Sequence, residues 1–430
     1  MNEHDTEKMA CLLSSKGMDR IEDVNNADVV IVNTCCIREK AEQKFYSLMG
    51  RLKKIKKRRG TILGVTGCIA QQEKDSIGEK LTFIDFSLGP SSIHRIAEAV
   101  DQATRKDHLF DFSDNGYTDS LIVEPGNANK KIKTYVTIMK GCNNFCSYCV
   151  VPYVRGREVS RESSDILREI TNLSMLGIKE VTLLGQNVNS YNKGRDDLSF
   201  PELLKRINEI DGIERIRFIT SHPRDLSQEL VECFGNLSKL CESIHLPFQA
   251  GSDRILKQMN RGYTIEGYRE KVTLLRERCA DIAITADCIV GFPGESEEDF
   301  AMTMGLVNDI RFDGLFSFVY SPRKNTAAAT LPGAVPRELA FERLASLQKC
   351  QKSITLDHNK AMEGKVAGVL VEDRSKNSRE EMAGRTRTNK IVNFKGSSDM
   401  LGSLVEVEIV KGYANSLKGE IRKSIGGHTC

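Results

Sequence analysis

Three cysteines that stand close together, Cys142, Cys146 and Cys149, have the spacing of a metal centre. They occur in the stretch CNNFCSYC, and the next cysteine and the next histidine are Cys233 and His222. Zinc is one alternative, but structural zinc sites take four ligands and catalytic zinc sites usually include histidine or carboxylate. In a 4Fe-4S cluster each iron is usually held by one thiolate. Three thiolates therefore predict a cluster with one iron left open to a small ligand.

Two further cysteines follow strand-like runs in the first part of the chain. The run ADVVIVNTC predicts a buried strand that ends at Cys35, and TILGVTGC predicts a second strand that ends at Cys68. Between them, REKAEQKFYSLMGRLKKIKK predicts a long amphipathic helix, so the two strands should form a parallel pair with a right-handed crossover. Both cysteines are then expected just past the carboxyl ends of their strands, where open α/β sheets bind ligands.

Six strand-like runs separated by helical segments occupy the middle of the chain. They are TYVTIMKG, VTLLGQN, RIRFITSHP, SIHLPFQAG, IAITADCIVGFPG and GLFSFVYSP. Six such units predict a partial (β/α)6 barrel with functional residues at the carboxyl ends of its strands. Polar residues and glycines follow several of these runs: Gln186 and Asn187, Ser221 and His222, Gln249, and Gly291 to Gly294. Each one alone is typical of a turn or cap, but together they are predicted to line one mouth.

The end of the chain has a different pattern. The short alternating runs KVAGVLVED, KIVNFKG, LGSLVEVEIVKG and KGEIRK predict a small antiparallel β-barrel. Arg385, Arg387 and Lys390 place positive charge beside it, which fits either an RNA-backbone surface or ordinary solubility. The polar stretch 101–131 is predicted to be a linker. We therefore predict an α/β protein with three domains, at 1–105, 128–360 and 361–426.

The composition narrows the class of protein. The chain has 430 residues, of which 40% are hydrophobic and 28% charged, a globular balance in a chain too long for one core. Without a membrane-helix run or a signal peptide, a cytoplasmic location is expected. The basic stretch RLKKIKKRRG, 51–60, predicts a solvated helix face or a phosphate-binding patch. Cysteines without ligand spacing are expected to be core residues or idle thiols: Cys233, Cys241, Cys279, Cys288, Cys350 and Cys430.

The cysteine stretch, placed after the first barrel strand, resembles the radical SAM superfamily. Together with NTCCIREKAEQK, GCIAQQ, VVPYVRGRE, LLGQNVNSY, HLPFQAGSDRILKQMNRGYT, DCIVGFPGE and NSLKGE, it is similar to the methylthiotransferase family over nearly the whole chain, including a C-terminal TRAM domain. The resemblance implies that the open iron binds S-adenosylmethionine, which is cleaved to a 5′-deoxyadenosyl radical. Tyr148 matches the aromatic residue before the third cysteine. Strand-end residues are expected to contact S-adenosylmethionine: Gly185, Gln186, Asn187, Ser221, Gln249, Gly291 and Phe292.

The resemblance also implies a second 4Fe-4S cluster in the first domain, which carries or supplies the inserted sulfur. Cys35 and Cys68 match two of its three ligands. The third stands in the family just before a Met-Asn-Glu segment, which here is residues 1–3. We expect a start assigned too late or a truncated chain, with Cys36 and Cys11 as the alternative ligands. Two thiolates alone should hold a cluster weakly.

The family implies a tRNA methylthiotransferase that adds sulfur and a methyl group at carbon 2 of N6-isopentenyl(dimethylallyl)adenosine next to the anticodon. We expect the adenine to be flipped out of the anticodon loop, and the basic stretch and the C-terminal barrel to contact phosphates. An electron donor such as flavodoxin or ferredoxin is implied, and a monomer is expected. Two alternatives stay open: a related enzyme for threonylcarbamoyladenosine or a ribosomal protein, and a non-catalytic iron–sulfur protein that binds tRNA.

Overall fold

The computed structural model describes residues 1–35, 39–74, 76–114, 131–376, 378 and 380–422. The chain forms two compact units. The first unit contains 1–129, 137–162 and 321–330, and the second contains 130–136, 163–320 and 331–430. The cysteine triplet thus groups with the N-terminal residues, whereas most of the predicted barrel groups with the C-terminal ones. The boundaries of the three predicted domains stay a prediction.

The N-terminal part of the first unit alternates strands and helices. Its elements are α1 (Asn2–Ser14), β1 (Val29–Thr34), α2 (Glu39–Arg59), β2 (Ile62–Gly67), α3 (Cys68–Glu73), α4 (Ser76–Lys80), β3 (Phe86–Leu88), α5 (Ile96–Thr104) and β4 (Leu109–Asp111). The strands form one parallel sheet in the order β1-β2-β3-β4. The register from Val29 opposite Ile62 to Thr34 opposite Gly67 confirms the predicted parallel pair.

Packing explains why α2 forms where it does. Its apolar residues Phe45, Met49 and Leu52 recur at helical spacing and are buried in one core with Leu63 and Val65 of β2. The beginning of the stretch predicted as a linker, 101–131, is instead structured, because α5 continues into it and β4 pairs with β3. A strand of three residues is too short to show a periodic pattern.

The middle of the chain carries the predicted alternation. Its elements are β5 (Lys133–Thr137), β6 (Met139–Lys140), α6 (Val151–Arg155), β7 (Val159–Ser160), α7 (Ser163–Met175), β8 (Glu180–Leu184), α8 (Phe200–Asn208), β9 (Arg215–Phe218), α9 (Gln228–Asn236), β10 (Ser243–His245), α10 (Asp253–Gln258), α11 (Ile265–Arg278), β11 (Ala283–Val290), α12 (Glu297–Ile310), β12 (Gly314–Val319) and α13 (Arg337–Lys360). Each of the six predicted runs contains a strand, which confirms the mixed α/β prediction.

The six barrel strands are divided between two sheets of three. Their orders are β5-β8-β9 and β10-β11-β12, and the strand pairs with a described register are parallel. An isolated parallel bridge between Ile216 and Leu240 continues the pairing from β9 towards β10. Because helices connect successive parallel strands, the carboxyl ends of the strands gather at one side. The predicted strand-end residues therefore share that side.

A closed five-stranded barrel forms the end of the described chain. Its strands are β13 (Val366–Arg374), β14 (Glu381–Thr386), β15 (Ile391–Lys395), β16 (Leu404–Gly412) and β17 (Leu417–Ile421), in the order β13-β14-β15-β17-β16. This confirms the small barrel, although β15 and β17 pair in parallel. The sequence did not predict β14, since Gly384 interrupts its run. A Cβ at Gly384 would lie 2.3 Å from the Leu370 carbonyl oxygen, so the close approach of β13 requires glycine.

Buried arginines attach this C-terminal barrel to the amino ends of the central strands. Arg215, at the start of β9, donates to the Arg385 carbonyl over 2.7 Å. Arg217 donates to the Thr386 carbonyl over 2.8 Å and pairs with Glu180, the first residue of β8, over 3.0 Å. Both arginines are almost fully buried. Charge-assisted bonds to backbone carbonyls therefore fix the barrel to the second unit.

The long helices α2 and α13 are rich in charged residues. The last turn of α2 carries four consecutive basic residues, 56–59. Charged residues also recur throughout α13. In the described part of the chain, no helix combines the length and the apolar character that crossing a membrane requires.

Candidate metal centres and cofactor site

The loop that carries the cysteine triplet is closed at its base by the antiparallel pair β6 and β7. The Cys142 N–H donates to the Gly156 carbonyl over 3.2 Å. Gly141 has a φ of +74°, and a Cβ there would lie 1.9 Å from the carbonyl oxygen of Arg157. The two limbs of the loop thus approach too closely for a side chain at this position. The sequence did not predict this hairpin, because each strand has only two residues.

The sulfur environments suit ligands of a cluster, a role that stays a prediction for these cysteines. Cys142 and Cys146 are buried, Cys149 is half-buried, and the Asn144 N–H lies 3.5 Å from the Cys142 sulfur. Shielding and N–H donors suit the sulfur ligands of a cluster. Among the described residues, no group of three or more His, Cys, Asp or Glu is arranged to hold one ion. A cluster needs no such convergence, because each thiolate binds a different iron.

A second segment, 321–330, contacts the cysteine loop within the first unit. The Ala328 N–H donates to the Ser147 carbonyl over 2.8 Å, between the second and third cysteines. Tyr148, the predicted aromatic match, is half-buried beside this contact. Sequence reasoning missed segment 321–330, which lies far from the triplet along the chain. The role of Tyr148 stays a prediction.

Cys35 and Cys68 leave the N-terminal sheet side by side. Thr34 is opposite Gly67 in the register, so the two cysteines are the next residues on neighbouring parallel strands. The Thr34 hydroxyl accepts from the Ile69 N–H over 3.2 Å, which ties the start of α3 to the end of β1. The predicted strand-end placement is thus observed, and the role of these cysteines as cluster ligands stays a prediction.

A buried guanidinium lies between the cysteine loop and Cys68. Arg155, at the end of α6, donates to the Asp5 carboxylate over 2.8 Å and to the Asn2 side-chain oxygen over 3.0 Å. Burial by itself lowers the pKa of Arg155, but Asp5 and the Cys68 sulfur raise it above its ordinary value. A fixed positive charge therefore stands beside Cys68. Sequence reasoning missed Arg155, although its position six residues after Cys149 was a usable signal.

The alternative ligands differ in what the structure describes. Cys36 lies outside the described residues, and Cys11 is half-buried on α1. The Asn2 side chain donates to the Thr34 carbonyl over 2.6 Å, so the Met-Asn-Glu segment lies beside the end of β1. Cys430 lies outside the described residues. Burial raises the thiol pKa of the five remaining cysteines, as expected of core residues: Cys233, Cys241, Cys279, Cys288 and Cys350.

Strand-end residues of the second unit present buried polar atoms to a potential ligand. Gln186 Oε1, Asn187 Oδ1 and Ser221 Oγ have no hydrogen-bond partner among the described residues. The amide nitrogen of Asn187 is oriented by the Asp225 carboxylate at 2.7 Å. Buried polar atoms are nearly always paired, so three at the ends of β8 and β9 mark a place for polar ligand groups. Gly185, directly after β8, lies in the same turn. The arrangement fits the predicted binding of S-adenosylmethionine.

The remaining predicted contacts follow β10 and β11. The Gln249 N–H donates to the Asp287 carbonyl over 2.9 Å, which joins the segment after β10 to the middle of β11. Gly291 has a φ of +71° and ends β11 in a sharp turn. Phe292 is fully buried with its ring against Tyr320 at a centroid distance of 5.3 Å, an arrangement that fits packing. Their contacts to a cofactor stay predictions.

His222 is held in its neutral form. Burial lowers its pKa most, and the nearby cations Arg261, Arg224 and Lys271 add to this effect, so the pKa falls to about 2. Its Nδ1 accepts from the Arg224 N–H over 3.2 Å. His222 therefore caps the turn after β9 and cannot donate a proton near neutral pH.

Family models match three stretches of the chain. They are the Radical SAM superfamily at 136–307, the Uncharacterized protein family UPF0004 at 1–89 and the TRAM domain at 360–421. A tRNA-2-methylthio-N(6)-dimethylallyladenosine synthase from Syntrophus aciditrophicus is 53% identical over 98% of this chain and 92% of its own length. Proteins with the same name from Geobacter metallireducens and Thermodesulfovibrio yellowstonii are each 48% identical, over 98% of this chain and 96% of theirs. The chain belongs to the radical SAM methylthiotransferase family.

A solved structure shares the fold of much of the chain. A radical S-adenosylmethionine methyltransferase, TsrM from Kitasatospora setae, with cobalamin and a 4Fe-4S cluster bound, gives a TM-score of 0.57 at 14% identity. The match covers 76% of this chain and 73% of that one. At this identity the likeness shows the fold alone.

The basic residues of this methylthiotransferase divide into paired and exposed groups. In α2, Lys56 pairs with Asp85, whereas Lys54 and Lys57 are exposed. In the C-terminal barrel, the three basic residues that fitted either an RNA-backbone surface or ordinary solubility have partners within the second unit. Arg387 binds Glu242 at 2.6 Å, Lys390 binds Asp313 at 2.9 Å, and Arg385 donates to the Asn389 carbonyl at 3.0 Å. These three residues stabilise the second unit, a role that neither sequence interpretation anticipated.

Proposed function

We propose that this methylthiotransferase acts on tRNA and converts N6-dimethylallyladenosine next to the anticodon into its 2-methylthio derivative. The observation that carries the proposal is the similarity to synthases of that name, at 45–53% identity over 98% of this chain. Both cysteine sites and the polar strand ends stand in the regions that match. The reaction is therefore a sulfur and methyl transfer to an aromatic carbon.

The residues present divide the task between two places. Cys142, Cys146 and Cys149 would hold a 4Fe-4S cluster, and the orphaned atoms of Asn187 and Ser221 would bind polar groups of S-adenosylmethionine. When bound, these groups supply a radical able to take a hydrogen atom from an aromatic carbon, which side-chain acids and bases cannot do near neutral pH. Burial of Cys142 and Cys146 limits access of water to these two cysteines, which protects a reactive centre.

The second place is the end of the N-terminal sheet. Cys35 and Cys68 would hold the auxiliary cluster that the family uses for sulfur insertion. The positive charge of Arg155 beside Cys68 favours anionic sulfur there. Asn2, which binds both Arg155 and the end of β1, keeps α1 against this site. We therefore assign to Arg155 the positioning of Asp5 and of the start of α1.

The partners follow from the chemistry. The TRAM match and the names of the relatives indicate tRNA binding. A one-electron donor such as flavodoxin or ferredoxin is proposed because a cluster of this kind has to be reduced before each turnover. We also propose a monomer located in the cytoplasm, where tRNA substrates and these carriers occur. Light scattering of the purified chain tests the oligomeric state.

Nucleoside mass spectrometry tests the proposal directly. The chain is expressed in a host that lacks its own methylthiotransferase, and total tRNA is digested. We expect 2-methylthio-N6-dimethylallyladenosine, its loss in Cys146→Ser, and its retention in Cys233→Ser, a buried cysteine without ligand spacing. Accumulation of unmodified N6-dimethylallyladenosine beside folded protein would contradict the proposal. The same assay on a chain with Gly-Cys-Gln added before Met1 tests the expected third ligand.

A further inference from the structure

One face of the sheet β10-β11-β12 is turned away from the helices. Along β11, Ile284, Ala286 and Cys288 are fully buried, whereas Thr285 and Asp287 between them are only half-buried. Helix α13 packs against β11 and β12. In a βα barrel the helices cover the outside, so the other face of the sheet is the interior. Thr285 and Asp287 therefore point into the interior of the partial barrel.

Four side chains form a patch on this interior face. The register places His245 opposite Thr285, and Phe316 opposite Asp287. His245 Nδ1 is hydrogen-bonded to Thr285 Oγ1 at 3.0 Å, and its Nε2 lies 3.5 Å from the Asp287 carboxylate. The Phe316 ring meets the imidazole edge to face at a centroid distance of 6.0 Å and is 54% exposed. We name His245, Thr285, Asp287 and Phe316 the interior patch.

The composition of the interior patch suits a purine base. An exposed aromatic face stacks on nucleobases of any sequence, and enzymes that act on a base read its edge with hydrogen bonds. A carboxylate only accepts, so Asp287 matches the single N–H that an N6-alkylated adenine retains. Guanine carries an acceptor oxygen at the same place and would be repelled.

We propose that the interior patch binds the base of the substrate adenosine, with Phe316 as its stacking platform and Asp287 as its reader of the N6 edge. The assignment rests on the proposed function and adds the residues that choose the base. It makes Phe316 and Asp287 specificity-determining residues, whereas the cysteines determine the chemistry.

The position of the interior patch suits a substrate base that has to lie beside the predicted cofactor contacts. His245 is three residues from Glu242, which binds Arg387 of the C-terminal barrel. Asp287 lies at the level of Gln249, one of the predicted cofactor contacts, because the Gln249 N–H donates to the Asp287 carbonyl over 2.9 Å. The interior patch therefore adjoins the predicted cofactor contacts at Asp287, and His245 lies towards the side of the C-terminal barrel. A substrate base bound there would stand next to the cofactor that has to react with it.

Binding of anticodon stem-loops to the purified full-length chain tests the proposal. Three loops carry dimethylallyladenosine, adenosine or guanosine at the modified position, and fluorescence anisotropy gives each Kd. Phe316→Ala should weaken binding of the dimethylallyladenosine loop about 5- to 100-fold and leave the guanosine loop unchanged. Phe316→Tyr should restore binding, because it keeps the ring. Phe341→Ala is the matched control, since Phe341 is 47% exposed on α13 and should have no effect.

Two further measurements separate the possible occupants. Asp287→Ala should reduce the preference for adenosine over guanosine, and equilibrium dialysis should show unchanged binding of S-adenosylmethionine to every variant. Loss of S-adenosylmethionine binding with intact loop discrimination would overturn the proposal and assign the patch to the cofactor. Unchanged discrimination in Phe316→Ala would also overturn it. If the unaltered chain bound no loop at all, the proposed function would fail together with the patch.

Discussion

Replacing Gly141 with alanine should empty the predicted cluster site without unfolding the first unit. The new methyl group would lie 1.9 Å from the Arg157 carbonyl oxygen, whereas ordinary contact begins at 3.4 Å. One limb of the cysteine loop must then move by about 1.5 Å, since backbone cannot yield as a flexible side chain can. The hydrogen bond from the Cys142 N–H to Gly156 spans the same limbs and should break. Cys142 would lose its orientation relative to the other two cysteines.

The size of the effect follows from a matched glycine. Gly60 has the same φ of +74°, but a Cβ there meets nothing within 4 Å. Gly60→Ala therefore carries only the cost of a left-handed alanine, about 1–2 kcal/mol. Gly141→Ala adds the forced movement, typically about 1–3 kcal/mol. The free energy for opening the β6–β7 hairpin should fall by about 2–5 kcal/mol in Gly141→Ala, and the hairpin should be unaffected in Gly60→Ala.

Iron and acid-labile sulfide per chain, measured after anaerobic reconstitution, provide the assay. Hydrogen exchange of the β6 and β7 amides reports the local opening. We expect Gly141→Ala to lose most of the iron bound by this loop and the protection of its hairpin, with normal protection in β1 and β2. Equal iron content and equal hairpin protection in the two alanine variants would refute the argument from the close approach.

Three further outcomes are expected. Replacing Lys54 and Lys57 with glutamine should weaken tRNA binding and reduce the slope of log K against log salt by about two, while the paired Lys56 should contribute less; unchanged binding would make α2 merely solvated. Because the folded pKa of His222 is about 2, only the unfolded chain takes up its proton below about pH 6.5. The free energy of unfolding should then fall by about 1.4 kcal/mol for each unit by which the pH is lowered below this value. Urea titrations between pH 7 and 5 should show a smaller decrease in His222→Asn than in the unaltered chain. Arg217→Ala should destabilise the second unit by about 3–5 kcal/mol by leaving a buried carboxylate unpaired, which calorimetry would contradict if the melting temperature were unchanged.

The strands were predictable because runs rich in β-branched residues leave a simple mark in the sequence. Runs such as VVIVNT and AITADCIV are long, apolar and β-branched, and their order implies parallel pairing. The places of Cys35, Cys68, Asn187 and Ser221 then follow from where the runs end. Family similarity supplied the role of the triplet, which spacing alone left open between cluster and zinc. For these strands, the secondary structure that the local sequence predicts agrees with the observed order and pairing of the strands.

The missed features depend on contacts between distant residues. β4 and the β6–β7 hairpin are too short for periodicity, and β14 is interrupted by a glycine that a neighbouring strand requires. The bond between Arg155 and Asp5 joins residues 150 positions apart. Arg387 and Lys390 gave a basic signal, but their carboxylate partners directly precede the central strands β10 and β12. Composition shows that such charges exist and cannot show which of them are neutralised.

The attachment of the C-terminal barrel through Arg215 and Arg217 has a consequence for how the second unit can contact RNA. A module on a flexible tether searches for its ligand and loses entropy on binding, whereas a docked module presents a preorganised footprint. β9 begins at Arg215 and ends at Phe218, and Ser221 follows at the carboxyl side of the same strand. The bonds of Arg215 and Arg217 therefore keep the barrel at a constant distance from the predicted cofactor contacts. An RNA that touched both places would meet a footprint of constant spacing.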